Sequence, residues 1–97
     1  MPSGVPDSLK LLAACEVGFV DAARLYLDKG ADVNWEDECG QTLLWIACSK
    51  GHVDTARLLL DKGADVDRAT KDGQTPLDIA KSNDHSSIVA LLEEHQK

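Results

Sequence analysis

Acidic side chains are the most abundant chemically active groups in this 97-residue chain, and they are densest at Trp35-Glu36-Asp37-Glu38. Clustered carboxylates can bind Ca²⁺, but the ligand spacing and the glycine of a calcium-binding EF-hand loop are absent from this run. The sequence does not place any two carboxylates as a general acid and base. The run is therefore interpreted as a solvated or partner-facing loop, and no metal site is predicted.

The histidines and cysteines are not spaced as zinc ligands. His52 and His85 are separated by the same interval as Cys15 and Cys48, which predicts a repeated helix-start position for the histidines. The two cysteines stand beside small alanines and are predicted to be buried packing residues. Cys39 is predicted to be exposed, with a regulatory thiol as the alternative. Since serine–histidine–aspartate sets and phosphate-binding glycine loops are also absent, the sequence predicts a non-enzyme without a cofactor.

Charge and composition exclude several classes of protein. Lys and Arg number 10 against 17 Asp and Glu, which gives a net charge of −7, and aromatic residues make up 4%. Such a chain repels phosphate backbones and anionic membranes, and it has few rings for base stacking. We therefore expect a partner protein with a basic or mixed surface, no nucleic acid and no membrane. The segment through Glu38, with 3 basic and 8 acidic residues, is the more negative part.

The N-terminal residues and the cysteine count bear on the cellular compartment. Residues 1–6 lack the basic and apolar regions of a secretory signal, and three cysteines cannot form an even disulfide framework. No apolar run approaches the ~20 residues needed to cross a bilayer. An intracellular location, cytoplasmic or nuclear, is predicted.

The elements that position all these residues recur with a constant period of about 33 residues, which is the separation of Gly18 and Gly51. The segment 27–33 returns one period later as residues 60–66 without a change, and Val20-Asp21 returns as Val53-Asp54. Similarity over a whole period of this length predicts three copies of one supersecondary unit.

Each copy is predicted to contain two helices and a loop. Thr42 and Thr75 are N-cap residues, and Thr75 with Asp78 forms a variant capping box. A short first helix ends near Gly51, a second runs from about residue 53 to residue 61, and a polar, turn-rich loop follows. Since one unit cannot bury its apolar face alone, the predicted fold class is all-α, a solenoid of stacked helix-turn-helix units with β-turn loops.

These units resemble ankyrin repeats, a family with the same period, about 33 residues, and the signature Thr-Pro-Leu-His-x-Ala. The signature stands here as TPLDIA at residues 75–80 and as TLLWIA at residues 42–47, with the family's Gly-Ala-Asp-Val at 30–33 and 63–66. Leu12, Trp45 and Asp78 occupy the position of the signature histidine. The resemblance covers roughly residues 7–97. It implies protein–protein binding without catalysis, through a concave face formed by loop tips and first helices.

Domain boundaries follow from the repeat. Residues 1–6 are predicted to be a flexible leader and residues 7–97 a single ankyrin-repeat domain. This domain divides into an N-capping repeat (7–37), an internal repeat (38–70) and a C-capping repeat (71–97).

The third unit carries polar residues where an internal repeat presses against the next one. Lys81, Ser86 and Glu93 stand at positions that are apolar in the middle unit, which is what a terminal cap requires for solubility. In the first unit, the polar Lys10 stands where the second unit has Leu43. A complete array of cap, repeat and cap is therefore expected, and a monomer when the chain is free.

The resemblance also implies which residues contact a partner. The variable contact positions of the family fall, in the middle unit, on Glu36, Glu38, Cys39, Gln41, Ser49 and Lys50. In the third unit they fall on Ala69, Lys71, Asp72, Gln74, Ser82 and Asn83, with Trp35 and Arg68 beside them at the loop tips.

The two tryptophans are the candidate anchors of this face. Trp35 lies in the charged loop, and an exposed indole with a polar rim is a frequent binding anchor. The alternative is that it packs onto the neighbouring loop. Trp45 either fills the core between units or is partly exposed on the inner surface, and it is included among the predicted contact residues.

Two other functions stay open. The chain could be a structural spacer in a larger protein. It could also be an enzyme substrate, because Asn34 resembles the loop asparagine that a 2-oxoglutarate-dependent oxygenase hydroxylates in ankyrin repeats. Tyr26 stands here where such sites usually carry leucine.

Overall fold

The computed structural model describes residues 6–96, so the predicted leader lies outside the described residues except for Pro6. This part of the chain contains six α-helices and no strand, which confirms the predicted all-α class. No helix within it combines the length and the apolar character needed to cross a membrane. The helices are α1 (Asp7–Val17), α2 (Val20–Asp28), α3 (Leu43–Lys50), α4 (Val53–Asp61), α5 (Pro76–Ser82) and α6 (Ser86–His95).

The first helices of the middle and third units begin at threonine side chains, as predicted. Thr42 Oγ1 accepts a hydrogen bond of 3.0 Å from the Trp45 amide. At Thr75 both bonds of a capping box form, because Asp78 N donates to Thr75 Oγ1 and Thr75 N donates to Asp78 Oδ2, each at 3.1 Å. Pro76 opens α5, where its missing amide proton removes no helix bond. These caps satisfy helix-start amides that would otherwise be unpaired.

Left-handed residues separate the two helices of each unit. Gly18 and Gly51 both have a φ of 80°, as the sequence predicts for the end of the first helix. In the third unit Asp84 stands one period after Gly51 and adopts the same region with a φ of 58°. Aspartate tolerates this region better than most residues that carry a Cβ. The three units therefore share one backbone geometry at this turn.

The units stack in two rows of helices. The first helices form one row, in which α1 packs against α3 and α3 against α5, and the second helices α2, α4 and α6 form the other. The core runs through the whole stack and includes Leu11, Leu44, Leu59, Ile88 and Leu92, all at most 1% exposed. The result is an elongated molecule of 44 × 26 × 22 Å. Each unit thus buries apolar surface both between its own two helices and against its neighbours.

Two histidines connect neighbouring units. His52 and His85 are the N-cap residues of α4 and α6, which confirms their predicted helix-start position. Nε2 of His52 lies 3.0 Å from the Glu16 carbonyl oxygen, and Nε2 of His85 lies 3.2 Å from the Ser49 carbonyl oxygen. Each ring therefore forms a hydrogen bond with the unit before its own.

The two ends of the stack differ in polarity. At the C-terminal end Lys81, Ser86 and Glu93 are exposed, as their polar character predicts. At the N-terminal end Lys10 is exposed, but Phe19 and Leu25 are also exposed, by 66% and 52%. The polar pattern of a terminal cap therefore marks the C-terminal end more clearly than the N-terminal end.

Candidate functional site

Two tight turns form the tips of the loops. In residues 37–40 the Gly40 amide donates to the Asp37 carbonyl oxygen (3.0 Å), and in residues 70–73 the Gly73 amide donates to the Thr70 carbonyl oxygen (2.9 Å). The central residues of these turns project from the body of the stack. Four predicted contact residues occupy them and are exposed: Glu38, Cys39, Lys71 and Asp72.

The side chain of Asp37 organises the first tip. Its Oδ1 accepts hydrogen bonds from the amides of Cys39 and Gln41, both at 2.9 Å. The backbone of the two tips is also joined, because the Lys71 amide donates to the Cys39 carbonyl oxygen at 3.0 Å. The predicted contact residues of the middle and third units are therefore held at fixed relative positions.

A groove lies beside the first tip, between α1 and α3, with a volume of about 330 Å³. Leu12, Trp45 and Ile46 supply its apolar lining, and Glu16 and Asp37 supply carboxylates. The remaining lining residues are Gln41, Ser49 and Lys50. The structure thus brings four predicted contact residues together in one concave feature: Gln41, Trp45, Ser49 and Lys50.

Both tryptophans are partly buried. Trp35 is half-buried and packs against the hydrophobic core, which is closer to the predicted alternative of a packed ring than to a fully exposed indole, and burial of its large apolar ring is the physical reason. Trp45 is partly exposed in the groove, which decides between its two predicted placements. Its Nε1 atom is covered by neighbouring atoms and has no acceptor among residues 6–96. A buried N–H without a partner costs about 1–3 kcal/mol.

Arg68, which stands one period after Trp35, reaches the preceding loop. Its Nη1 donates to the Asn34 carbonyl oxygen at 3.2 Å and lies 3.8 Å from Glu36 Oε2. Its Nε lies 3.9 Å from Asp65 Oδ2. Exposed ion pairs of this kind contribute little energy, but they leave Glu36 partly neutralised beside the tip.

The other predicted residues of the third unit lie around the second tip and α5. Ala69, Ser82 and Asn83 are exposed, and Gln74 is half-buried. The Asn83 side-chain amide donates to the Ser49 carbonyl oxygen at 3.0 Å. Asn83 is therefore already engaged within the stack.

The three cysteines differ sharply in environment. Cys15 and Cys48 are fully buried, as predicted, and Cys39 is an exposed free thiol. Burial, with a smaller contribution from the Glu16 charge, raises the pKa of Cys15 from 9.0 to about 12. Burial alone raises the pKa of Cys48 from 9.0 to about 12. Since only a thiolate is an effective nucleophile, the two buried thiols are chemically inert at neutral pH.

Asn34 is tied into the loop by three hydrogen bonds. Its Oδ1 accepts from the Asp65 amide (2.8 Å), its amide donates to Asp32 Oδ1 (2.9 Å), and its carbonyl oxygen accepts from Arg68. The asparagine thus links the first loop to the second. Hydroxylation at this residue stays a prediction.

Four groove residues were not among the predicted contact residues: Leu12, Glu16, Asp37 and Ile46. A signal for two of them was present, because Leu12 and Glu16 stand one period before Trp45 and Ser49. Extension of the contact positions into the first unit would have found both. Asp37 was noted for its charge, whereas its hydrogen bonds to the tip depend on three-dimensional geometry.

Comparison with known proteins agrees with this architecture. Residues 11–97 match the family model described as ankyrin repeats, in three copies. No curated relative matches the chain. Ankyrin repeats are generally protein–protein interaction modules and are typically non-catalytic. Because the match spans nearly the whole sequence, the chain belongs to the ankyrin-repeat family.

Proposed function

We propose that this chain is a non-catalytic binding module whose protein partner contacts the concave face, defined as the loop tips and the exposed sides of α1, α3 and α5. The observation that carries the proposal is the groove in which Leu12 and Trp45 lie beside the carboxylates of Glu16 and Asp37. An apolar, partly exposed indole next to charged groups is the usual composition of a binding hot spot and its rim.

The charges around the groove favour a partner with a basic or mixed surface. Glu36 and Glu38 are exposed next to Asp37, and the whole chain carries a net charge of −7. Such a field accelerates encounters with basic proteins and disfavours phosphate backbones. Lys50 and Lys71 add positive charge near the same face, so the complementary surface is mixed rather than uniformly basic.

The proposal includes a setting for this binding. We place the module inside the cell, in the cytoplasm or nucleus, because its exposed Cys39 is a free thiol and reducing compartments preserve such groups. The free chain is proposed to be a monomer, since the polar Lys81, Ser86 and Glu93 oppose head-to-tail stacking of copies.

The test starts with a partner isolated by pull-down from native lysate with the full chain as bait, followed by affinity measurement with purified proteins. Trp45→Ala should weaken binding at least about tenfold, because loss of an aromatic anchor typically costs about 2 kcal/mol or more. Trp35→Ala should also weaken it, with circular dichroism used to verify the fold. The matched control is Arg57→Glu on α4, whose exposed side chain lies in the row of second helices.

The controls decide which surface binds. Trp45→Phe keeps an aromatic ring in the groove and should retain most of the affinity. If both tryptophan-to-alanine variants bind normally while Arg57→Glu does not, the partner contacts the second helices and the proposal is wrong.

A further inference from the structure

The N-terminal end of the stack carries an apolar surface that the proposed function does not use. Val17, Phe19 and Leu25 are exposed there by 55%, 66% and 52%. Lys29, at the end of α2, is exposed as well. We call these four residues the N-terminal end face.

The position of Leu25 is buried in the other two units. Leu58 and Leu91 stand one and two periods after Leu25, and they are only 6% and 7% exposed. Leu58 lines a cleft with Val20 and Arg24 of α2, so it faces the preceding unit. Leu25 therefore presents to solvent the side chain that, one period later, forms the interface between units.

The neighbouring positions repeat this relationship. His52 stands one period after Phe19 and contacts Glu16 and Gly18 of the preceding unit. Asn83 stands two periods after Val17 and donates to the Ser49 carbonyl oxygen of the unit before it. The end face thus stands at the positions that form the two unit–unit interfaces of the stack, but no helix among residues 6–96 packs on it.

Charge defines what a preceding unit would have to supply. Lys62 Nζ lies 2.9 Å from Asp28 Oδ1 of the unit before it. Lys29 stands one period before Lys62, and the ion pairs found among residues 6–96 do not include it. Its ammonium group lies 5.7 Å from the centroid of its own unit's Tyr26 ring. A complementary surface would therefore place a carboxylate at the position that Asp28 occupies.

The opposite end of this chain does not supply that surface. Lys81, Ser86 and Glu93 line one shallow depression at the C-terminal end. In a head-to-tail contact between two copies, Leu25 would meet Ser86, which stands two periods after Val20, whereas Leu58 meets Val20 itself. A second copy in this orientation is therefore the wrong occupant.

We propose that the N-terminal end face binds the C-terminal end of an ankyrin-type helix stack in another protein. That partner keeps apolar residues where this chain has Lys81, Ser86 and Glu93, and it carries a carboxylate that pairs with Lys29. The interface reproduces between two proteins the packing that α4 makes on α2 within this one.

A probe for this proposal can be made from the chain itself. Lys81→Ala, Ser86→Val and Glu93→Leu convert the third unit to the apolar pattern of an internal unit. Glu94, which stands two periods after Asp28, supplies the carboxylate for Lys29. Leu25→Lys in the same probe blocks its own end face and prevents polymerisation. Circular dichroism establishes that the probe is folded. If it is not, a probe with Glu93→Leu and Leu25→Lys alone replaces it.

Sedimentation velocity of the wild-type chain mixed with this probe should show a one-to-one complex at about 100 µM protein. Leu25→Lys in the wild-type component should abolish the complex. Lys29→Glu should weaken it, most strongly at low salt, whereas Lys81→Glu, the same charge change at the opposite end of the wild-type component, should not.

Three outcomes would overturn the proposal. They are the absence of a complex, a complex that survives Leu25→Lys in the wild-type component, and dimerisation of the wild-type chain alone that Leu25→Lys abolishes. The last result would identify a second copy, paired end face to end face, as the occupant.

Discussion

The imidazole of His52 packs directly against the backbone of Gly18, so that a Cβ placed on this glycine would lie 2.6 Å from the ring's Nδ1 atom. The ring is also held by the 3.0 Å contact between its Nε2 and the Glu16 carbonyl oxygen. His85 and Gly51 repeat the arrangement one unit later, where a Cβ on the glycine would lie 2.8 Å from the ring's Cε1 atom. At each boundary between units, a histidine ring therefore packs on the glycine backbone of the preceding unit.

Gly51→Ala should destabilise the chain more than Gly63→Ala. Both glycines have a positive φ, 80° and 94°, so each alanine carries a backbone strain of about 1–2 kcal/mol. Only at Gly51 does the new methyl group also collide with a histidine ring, whereas nothing lies within 4 Å of Gly63. Urea unfolding should show an additional loss of about 1 kcal/mol or more for Gly51→Ala.

The double variant isolates the contact between the two residues. His85→Ala removes the ring, so Gly51→Ala should cost less in that background than in the wild type. Equal costs in the two backgrounds would show that backbone strain alone explains the loss.

Deletion of residues 71–97 should unfold the remainder of the chain. This truncation removes α5 and α6, against which α3 and α4 pack. Cys48 and Leu60, now 0% and 8% exposed, would face water without polar substitutes. Because interfaces between neighbouring units provide most of the stability of such arrays, a poorly dispersed amide spectrum is expected for residues 1–70. A well-dispersed spectrum would show that two units suffice.

The sequence predicts the parts of this structure that depend on repetition. The N-caps Thr42 and Thr75 and the span of α4 each follow from local residue types and their spacing, and the structure confirms them. Burial of Cys48 follows in the same way from its small neighbours. Local pattern and period are sufficient here because each unit repeats one geometry.

The candidate site depends on contacts between units, and these are less visible in the sequence. The partial burial of Trp35 results from packing of its ring against the core, which its charged sequence neighbours do not reveal. The groove requires Leu12 of one unit to lie beside Trp45 of the next. Leu25 is exposed because no helix among residues 6–96 covers it, whereas the same residue type is buried in both later units.

The buried thiols should make the chain less stable at alkaline pH. The pKa values of Cys15 and Cys48 are raised to about 12 in the folded chain, while the unfolded thiols ionise near 9.0. Their contribution to stability is therefore complete below about pH 9 and is lost as the pH rises toward 12. Within this window each thiol lowers the unfolding free energy by up to about 1.4 kcal/mol per pH unit.

A variant with Cys15→Ala and Cys48→Ala separates this effect from other titrations. It should be less stable than the wild type at neutral pH because methyl groups fill the core less well. Its unfolding free energy should nevertheless fall less steeply between about pH 9 and pH 11, since all other groups are common to both chains. Parallel curves in urea would show that the thiols do not carry the alkaline loss.

Charge reversal at the first loop tip should slow association with a basic partner. Glu36 and Glu38 are both exposed, but Glu36 already lies 3.8 Å from a nitrogen of Arg68, whereas Glu38 is absent from the ion pairs of residues 6–96. Glu38→Lys should therefore reduce the association rate constant more than Glu36→Lys, because the charge of Glu38 is the less neutralised in the free chain. The double variant should show the largest reduction, and the effect should shrink as salt shortens the screening length below about 10 Å.

Stopped-flow or surface-plasmon measurements at two salt concentrations provide the rates, and Glu94→Lys on α6 is the control for net charge alone. If Glu94→Lys slows association as much as Glu38→Lys, the total charge of the chain steers the partner and the loop tip is not the site of first contact.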